Sequence, residues 1–249
     1  NNIGAGKAPH IFGGWSEYLY ILPGSHLFKF PENLNPKFGA FIEPLSVTAC
    51  LDKARQWSSE WEPFSSGDTV AILGTGPIGL FHLIKSNLLA AGRLISIDPS
   101  KFRTSIAKSF GATDVINSSN KEEIKDNINR ITDNVGVDLV VDCSGVAEGF
   151  GIALELIREG GMVIEVGIFS NSHDIPINPH KHILEKSARV MGVGGDEISQ
   201  YYPSIKLLER TINQFPWSKI ISHEYKINEI HDAMKTAMSD NSMKVLLSP

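Results

Sequence analysis

The spacing of apolar and polar positions changes twice along the chain. Over residues 12–30, FGGWSEYLYILPGSHLFKF, aromatic and β-branched residues alternate with polar ones around Pro23-Gly24. That alternation predicts a strand, a turn and a second strand. The following stretch, PENLNPKFGAFIEPLSVTACLDKARQW, becomes helical in its second half, with Leu45, Ala49, Leu51, Ala54 and Trp57 at helical spacing. From residue 68 to 193, short apolar runs alternate with longer amphipathic ones. The runs are VAILG, LISID, DVIN, LVVDC, MVIEVG and RVMGV. Helical patterns lie between them: one from Pro77, one through Phe102, Ile106 and Phe110, one through Ile124, Ile128 and Ile131, and one through Ala153 and Ile157. A looser stretch separates the last two runs. Six strands with intervening helices predict an α/β fold, a doubly wound parallel sheet covered on both faces with right-handed crossovers. After Gly195 the order changes to a helix over 201–214, a strand at ISHEYKI, a helix over 228–239 and a last strand, KVLLS. Boundaries fall near Leu45 and Gly195.

The stretch AILGTGPIGLFHLIK holds the first chemistry. Gly74, Gly76 and Gly79 stand at the first, third and sixth places of G-x-G-x-x-G. Gly74 allows the tight turn out of the strand, Gly76 lets backbone approach a pyrophosphate, and Gly79 lets the helix pack near the strand. Pro77 falls where the first helical turn begins and its missing N–H costs nothing. The free N–H groups and the positive end of that helix favour an anion. Asp98 closes the next strand about 20 residues on, where a carboxylate accepts from the hydroxyls of an adenosine ribose. The same features also serve a plain strand-helix turn followed by an Asp-Pro turn. A carboxylate at Asp98 would repel a 2′-phosphate, which favours NAD over NADP. Lys101 and Arg103 stand close enough in sequence to argue the other way.

Bulk properties narrow the partners. The chain has 249 residues and a net charge of −5 without a basic block, which disfavours nucleic acid or an anionic membrane. Its two cysteines, Cys50 and Cys143, cannot build a disulfide framework or a four-thiolate zinc site, and both read as core thiols of a cytoplasmic protein. Every apolar run is interrupted well short of the roughly 20 residues of a membrane span. The sequence opens NNIGAGKAPH without an initiator Met and reads as though entered mid-chain.

Several segments together resemble the zinc-dependent medium-chain alcohol dehydrogenases, especially the sorbitol- and threonine-dehydrogenase-like branch. They are FGGWSEYLYI, IEPLSVTACLDKA, GDTVAILGTGPIGL with ISIDPSKFR, SFGATDVIN, VDLVVDCSG, GGMVIEVG and HDAMKTAMSDNSMKVLLSP. The resemblance implies a nicotinamide-binding Rossmann domain over 45–195. It also implies remnants of a split GroES-like β catalytic domain, over 1–44 and 196–249. Such enzymes move a hydride between an alcohol or ketone and NAD with zinc assistance, and assemble as homodimers or homotetramers by pairing sheet edges, here at 189–193.

By the same resemblance Ile78 lies near the pyrophosphate and nicotinamide ribose, and Asp98 and Arg103 hold the adenosine. Val166, Gly167 and Ile168 line the nicotinamide side, and Val193 and Gly194 meet the carboxamide. Glu43 of IEPL stands where the branch has an acid at or beside the catalytic zinc; zinc accepts carboxylate oxygen and catalytic sites keep an open position. Glu43 also suits the start of a helix.

The chain departs from the family pattern in two ways. The Gly-His-Glu motif that carries zinc ligands does not occur, and neither does the four-cysteine structural lobe. His180 and His182 read as loop and helix-start residues. His10, His26, His82, His173, His223 and His231 form no ligand spacing. Where the polyol branch has arginine and tyrosine after the sixth strand stand Gly195 and Asp196. Two other readings stay open: a zinc-free quinone or enoyl reductase, and a non-catalytic NAD(H)-binding module.

Overall fold

Four successive apolar residues of β1 (Thr69–Leu73), from Val70 to Leu73, are all buried. A strand buried on both faces needs cover on both sides, and the chain supplies it. The computed structural model describes residues 14–56, 64–168, 173–195 and 197–249. Two short helices, α1 (Ile42–Val47) and α2 (Cys50–Gln56), precede β1. Then follow α3 (Pro77–Leu88), β2 (Arg93–Ile97), α4 (Lys101–Ser109), β3 (Asp114–Ile116), α5 (Lys121–Ile131), β4 (Val137–Asp142), α6 (Ala147–Leu156), β5 (Ile157–Glu165) and β6 (Arg189–Gly192). The last elements are α7 (Tyr201–Thr211), β7 (Ile221–Lys226), α8 (Ile230–Ala237) and β8 (Lys244–Ser248).

The first six strands form one parallel sheet in the order β3-β2-β1-β4-β5-β6. The order reverses between β1 and β4, and open α/β sheets bind ligands at that switch, beyond the carboxyl ends of the strands. Helix starts are fixed locally: the Ser100 and Asn120 side chains accept from the N–H of Arg103 and Glu123 at the heads of α4 and α5.

One sheet face buries Ala71, Ile95 and Ile97 against Ile124, Ile128, Ala153 and Leu154 of α5 and α6. The other buries Val70 and Ile72, with Leu80 of α3, against residues from both sides of the sheet in sequence, including Phe38, Leu45, Leu208 and Trp217. Aromatic rings knit this second core. Phe38 stacks on Phe41 at 5.3 Å, Phe41 lies 5.6 Å from Phe81 and 6.2 Å from Trp217, and Trp217 lies 6.3 Å from Phe110.

All six predicted strands of the large sheet form, as do the helices between them. The strand-turn-strand expectation fails over its described part. Residues 14–30 contain the turn, with Ser25 N–H donating to Leu22 at 3.1 Å and Gly24 at φ +81°. They form no strand, and Tyr18 is 90% exposed. Alternation sets which side chains share a face, but a strand also needs a paired backbone, and among the described residues none pairs here. Phe12 and Trp57 lie outside the described residues. The helix predicted after IEPL is broken into α1 and α2. At the break the Ser46 and Thr48 hydroxyls donate back to the carbonyls of Glu43 and Leu45, at 2.6 and 2.7 Å, competing with helical continuation. The closing strands β7 and β8 pair with each other in parallel, apart from the large sheet.

Candidate functional site

The three glycines at the junction of β1 and α3 stand in different surroundings. Gly74 has φ +82°, and a Cβ on it would lie 2.5 Å from Ser144 Cα. A Cβ on Gly79 would lie 2.0 Å from the Gly74 carbonyl oxygen, so α3 sits directly on the turn. Gly76 differs: a Cβ there meets nothing within 4 Å. Its bare backbone caps α3 in extended conformation, with Pro77 in the first turn. An open backbone beside a helix N-terminus is a fitting cradle for a pyrophosphate.

Asp98, the residue after β2, is 3% exposed. Its carboxylate accepts from Thr75 N–H at 2.9 Å and from Ser100 N–H at 2.8 Å. Burial raises its pKa, opposed by the Ser100 N–H, Arg103 and the Thr75 N–H. The Arg103 guanidinium lies 3.9 Å from Asp98 and donates to the carbonyls of Ser242 and Ser239, at 3.1 and 3.2 Å. Ser100 donates its hydroxyl to Asp240 O at 2.6 Å. The turn after α8 is thus clamped onto the head of α4, and Arg103 is engaged there, while Lys101 is exposed.

The opposite end of the crevice is a cleft of about 230 Å³ lined by Glu43, Ile78, Cys143, Val166, Gly167 and Val193 among others. Val193 is held by its N–H to Glu165 O at 2.9 Å. A Cβ on Gly167 would lie 2.8 Å from the Cys143 carbonyl carbon and 2.9 Å from the Ser144 and Gly145 nitrogens. The turn after β4 is therefore wedged between Gly74 and Gly167. Gly194 lines a neighbouring opening of about 810 Å³, with Lys53 and Gly192. Ile168 faces a third, of about 330 Å³. Asp196 lies outside the described residues.

Glu43 sits in the first turn of α1 and its charge reaches Lys244, whose pKa burial lowers and Glu43 raises. Cys143 lines the cleft rather than lying wholly in the core, which the sequence did not suggest. Burial holds its thiol well above the ordinary range and raises that of Cys50 to about 12. Between them lies His82, wholly buried, its Nδ1 2.8 Å from Ile78 O and its Nε2 3.5 Å from Cys50 Sγ.

Among the described residues no three His, Cys, Asp or Glu side chains gather closely enough to hold a metal. Without three such side chains within reach of one another, the described residues do not fit the metal. One His-Glu pair does occur, His223–Glu224 on β7, but Glu224 pairs there with Lys37 at 2.5 Å. His180 and His182 stand in a π-helical turn, where His182 Nδ1 accepts from Asn178 N–H. Among the described residues no helix is long and apolar enough to cross a membrane.

A doubly wound sheet with a glycine turn at its switch point and an acid after the second strand is the frame on which open α/β proteins place a ligand crevice. Residues 77–210, over half the chain, match the model of the zinc-binding dehydrogenases, and the chain belongs to that family. It is 28% identical over 249 residues to L-threonine 3-dehydrogenase of Pseudoalteromonas atlantica, covering all of this chain and 67% of the relative. It superposes on an alcohol dehydrogenase structure from Thermotoga maritima with TM-score 0.84 at 25% identity, again over 100% of this chain and 67% of the other. A protein of Sinorhizobium meliloti described as a zinc-binding dehydrogenase and bound to NADP superposes with TM-score 0.74 at 27% identity, over 89% of this chain and 62% of the other. The chain thus spans about two thirds of the length of these relatives. The family expected from the sequence segments is borne out.

Proposed function

We propose that this chain binds NAD(H) across the crevice between β1 and β4 and forms the coenzyme-bearing portion of a dehydrogenase that interconverts an alcohol and a carbonyl compound. The carrying observation is the contrast among the loop glycines: Gly74 and Gly79 are packed on backbone, while Gly76 opens on empty space. In this reading the amides from Gly76 into α3 meet the pyrophosphate, with Ile78 beside it. Asp98 faces the adenosine ribose, and Arg103 positions that acid from behind. Val166, Gly167, Val193 and Gly194 flank the nicotinamide end, with Ile168 behind them. A bound nicotinamide would accept or donate a hydride at its ring. The chain's own part is to orient the ring against Val166 and Gly167 and to keep the apolar side of the cleft dry.

Glu43 is the carboxylate lining that cleft, and we assign it to the neighbourhood of the reacting centre. Residues 45–195 carry every proposed coenzyme contact, with 1–44 and 196–249 assigned to the catalytic part. The described residues do not supply a ligand set for zinc. Self-pairing through β6, an edge strand of the large sheet, is the proposed route to a homodimer or homotetramer, and light scattering at micromolar concentration tests it by returning a multiple of the chain mass.

The primary test titrates the protein with NADH and NADPH in parallel by calorimetry. Tighter NADH binding is expected from the buried Asp98 carboxylate; tighter NADPH binding would overturn the coenzyme assignment. Tight NADH binding without turnover over an alcohol panel, in protein of full length, would favour a coenzyme-binding module. A full-length Glu43→Ala variant that keeps both metal content and turnover would remove Glu43 from the site.

A further inference from the structure

Two carboxyl groups lie at the root of the turn that separates Gly74 from Gly167. Asp142 ends β4 and Glu165 ends β5, and the two are directly paired in the parallel register. Asp142 is fully buried. Each uses one oxygen to hold the loop that follows it. Asp142 Oδ1 accepts from Ser144 N–H at 2.9 Å, and Glu165 Oε1 accepts from the N–H groups of Gly167 and Ile168 at 2.9 and 3.0 Å. The other oxygens, Asp142 Oδ2 and Glu165 Oε2, are buried and find no hydrogen-bond partner among the described residues. Residues paired across neighbouring strands carry their side chains on the same face of the sheet, so the two carboxyls are neighbours.

Two ionised carboxylates in that position would face each other with like charge and no donor between them, which a protein interior does not tolerate. One proton placed between Oδ2 and Oε2 satisfies both orphan oxygens at once. Among the described residues the surroundings supply no competing cation, and the Ser144 hydroxyl beside Asp142 only partly offsets its burial. From α6 the pair meets the backbone at Gly149, whose Cβ position lies 2.8 Å from Asp142 Oδ2. The opening beside Glu165 is lined from α6 by Ala147 and Phe150 and from β6 by Val190 and Gly192. His173 also borders it, but is paired with Glu148 at 2.9 Å. The Cys143 and Cys50 thiols behind are protonated.

We propose that Asp142 and Glu165 share a single proton, and that this proton braces the ends of β4 and β5 so that the two walls of the coenzyme cleft stay in register. The leverage comes from contacts already given. The 143–145 turn touches the pyrophosphate loop at Gly74 and the nicotinamide wall at Gly167, so spreading the pair disturbs both ends of the cleft. Burial, with the Asp142 charge adding to it, pushes Glu165 up to about 7, and burial raises Asp142 as well. A raised carboxyl pKa stabilises the fold fully in acid, below the ordinary carboxylate range, and that stability is lost as the pH climbs through about 7. The brace is therefore closed in mild acid and opens in mild alkali. Asp142 and Glu165 are positioning residues; neither is placed against the coenzyme.

This inference rests on the coenzyme reading above, and its test separates the two. The protein is titrated with NADH at about pH 6 and about pH 8.5, and the infrared carbonyl band of a protonated carboxyl is recorded at the lower pH. Roughly tenfold weaker binding is expected at the higher pH, the proton being taken up with coenzyme. In Glu165→Gln the amide donates to Asp142 at every pH, so the Kd should stay at its low-pH value while the carbonyl band disappears. Asp142→Asn, the mirror exchange, should do the same and guards against a folding defect in the first variant. Glu165→Ala should bind weakly at both pH values. A pH-independent Kd in the unaltered protein, or Glu165→Gln retaining the full pH dependence, overturns the proposal. If NADH binds at neither pH the coenzyme reading falls, and the infrared band alone decides the shared proton, its absence overturning that too.

Discussion

Thr75 donates its backbone N–H to the carboxylate of Asp98 over 2.9 Å, joining the glycine loop to the end of β2 from inside the protein. Asp98 is therefore part of the loop's scaffold as well as the candidate ribose acceptor. Asp98→Ala leaves the N–H groups of Thr75 and Ser100 without their acceptor, each at a cost of about 1–3 kcal/mol. The expected result is a lower melting temperature together with weaker NADH binding, read by thermal unfolding and by titration. A folded Asp98→Ala protein that binds NADH as before would contradict the assignment.

Gly76 and Gly79 should respond to alanine in opposite ways. Gly76 has φ −68°, which alanine adopts freely, and open space for a methyl group. Gly76→Ala should change stability by no more than about 0.5 kcal/mol yet weaken NADH by roughly tenfold or more, about 1.4 kcal/mol. Gly79→Ala drives a methyl group into the Gly74 carbonyl and should destabilise the fold by about 1–3 kcal/mol or more. Chemical denaturation and NADH titration on both variants make the comparison.

His82 should set part of the acid limit of stability. Burial holds its pKa down to about 4 from the usual 6.5, so the folded protein keeps it neutral. A depressed histidine stabilises the fold above its ordinary pKa, and that stability is lost as the pH falls from 6.5 through about 4. The size is about 3 kcal/mol, from roughly 1.4 kcal/mol per pH unit. Urea unfolding of the unaltered protein and of His82→Leu at several pH values should show this acid slope flattened in the variant.

Arg103 should matter to the end of the chain as much as to coenzyme. Arg103→Ala removes the donors to Ser239 and Ser242 and, among the hydrogen bonds of the described residues, leaves the Ser100 hydroxyl tying that turn to the head of α4. Each lost bond is worth about 0.5–1.5 kcal/mol. Hydrogen exchange should accelerate in β8 and the turn before it, while the amides of β1 keep their protection. Unchanged exchange in β8 would show that the clamp carries no energy.

The parts legible in the sequence were those whose cause is local. Apolar runs cut by glycine and charge define β1 to β6, because a strand buried on both faces needs an unbroken apolar stretch. The glycine spacing was legible because each glycine answers to the turn it sits in; that Glu43 and Val166 line one cleft shows only in the structure. What escaped depended on pairing across the chain. WSEYLYI has the pattern of a strand, yet pattern alone supplies no partner. Asp142 and Glu165 meet only through the register of β4 and β5; the one hint was a charged residue at the end of the apolar run MVIE. Arg103 and Ser239 are 136 residues apart, and no spacing rule joins them. In the sequence Asp98 offers a ribose acceptor or the start of an Asp-Pro turn; its hold on Thr75 shows only with the path of the loop.

The ring-to-ring contacts of Phe41 with Phe81 and Trp217 cross the whole order of the chain. Phe41 comes from ahead of the large sheet, Phe81 from its first crossover helix and Trp217 from beyond its last strand. Loosening the segment of Phe41 exposes aromatic surface on the other two, and loosening either of those exposes Phe41. Heating should therefore produce a single endotherm whose calorimetric and van't Hoff enthalpies agree, the mark of an all-or-none transition.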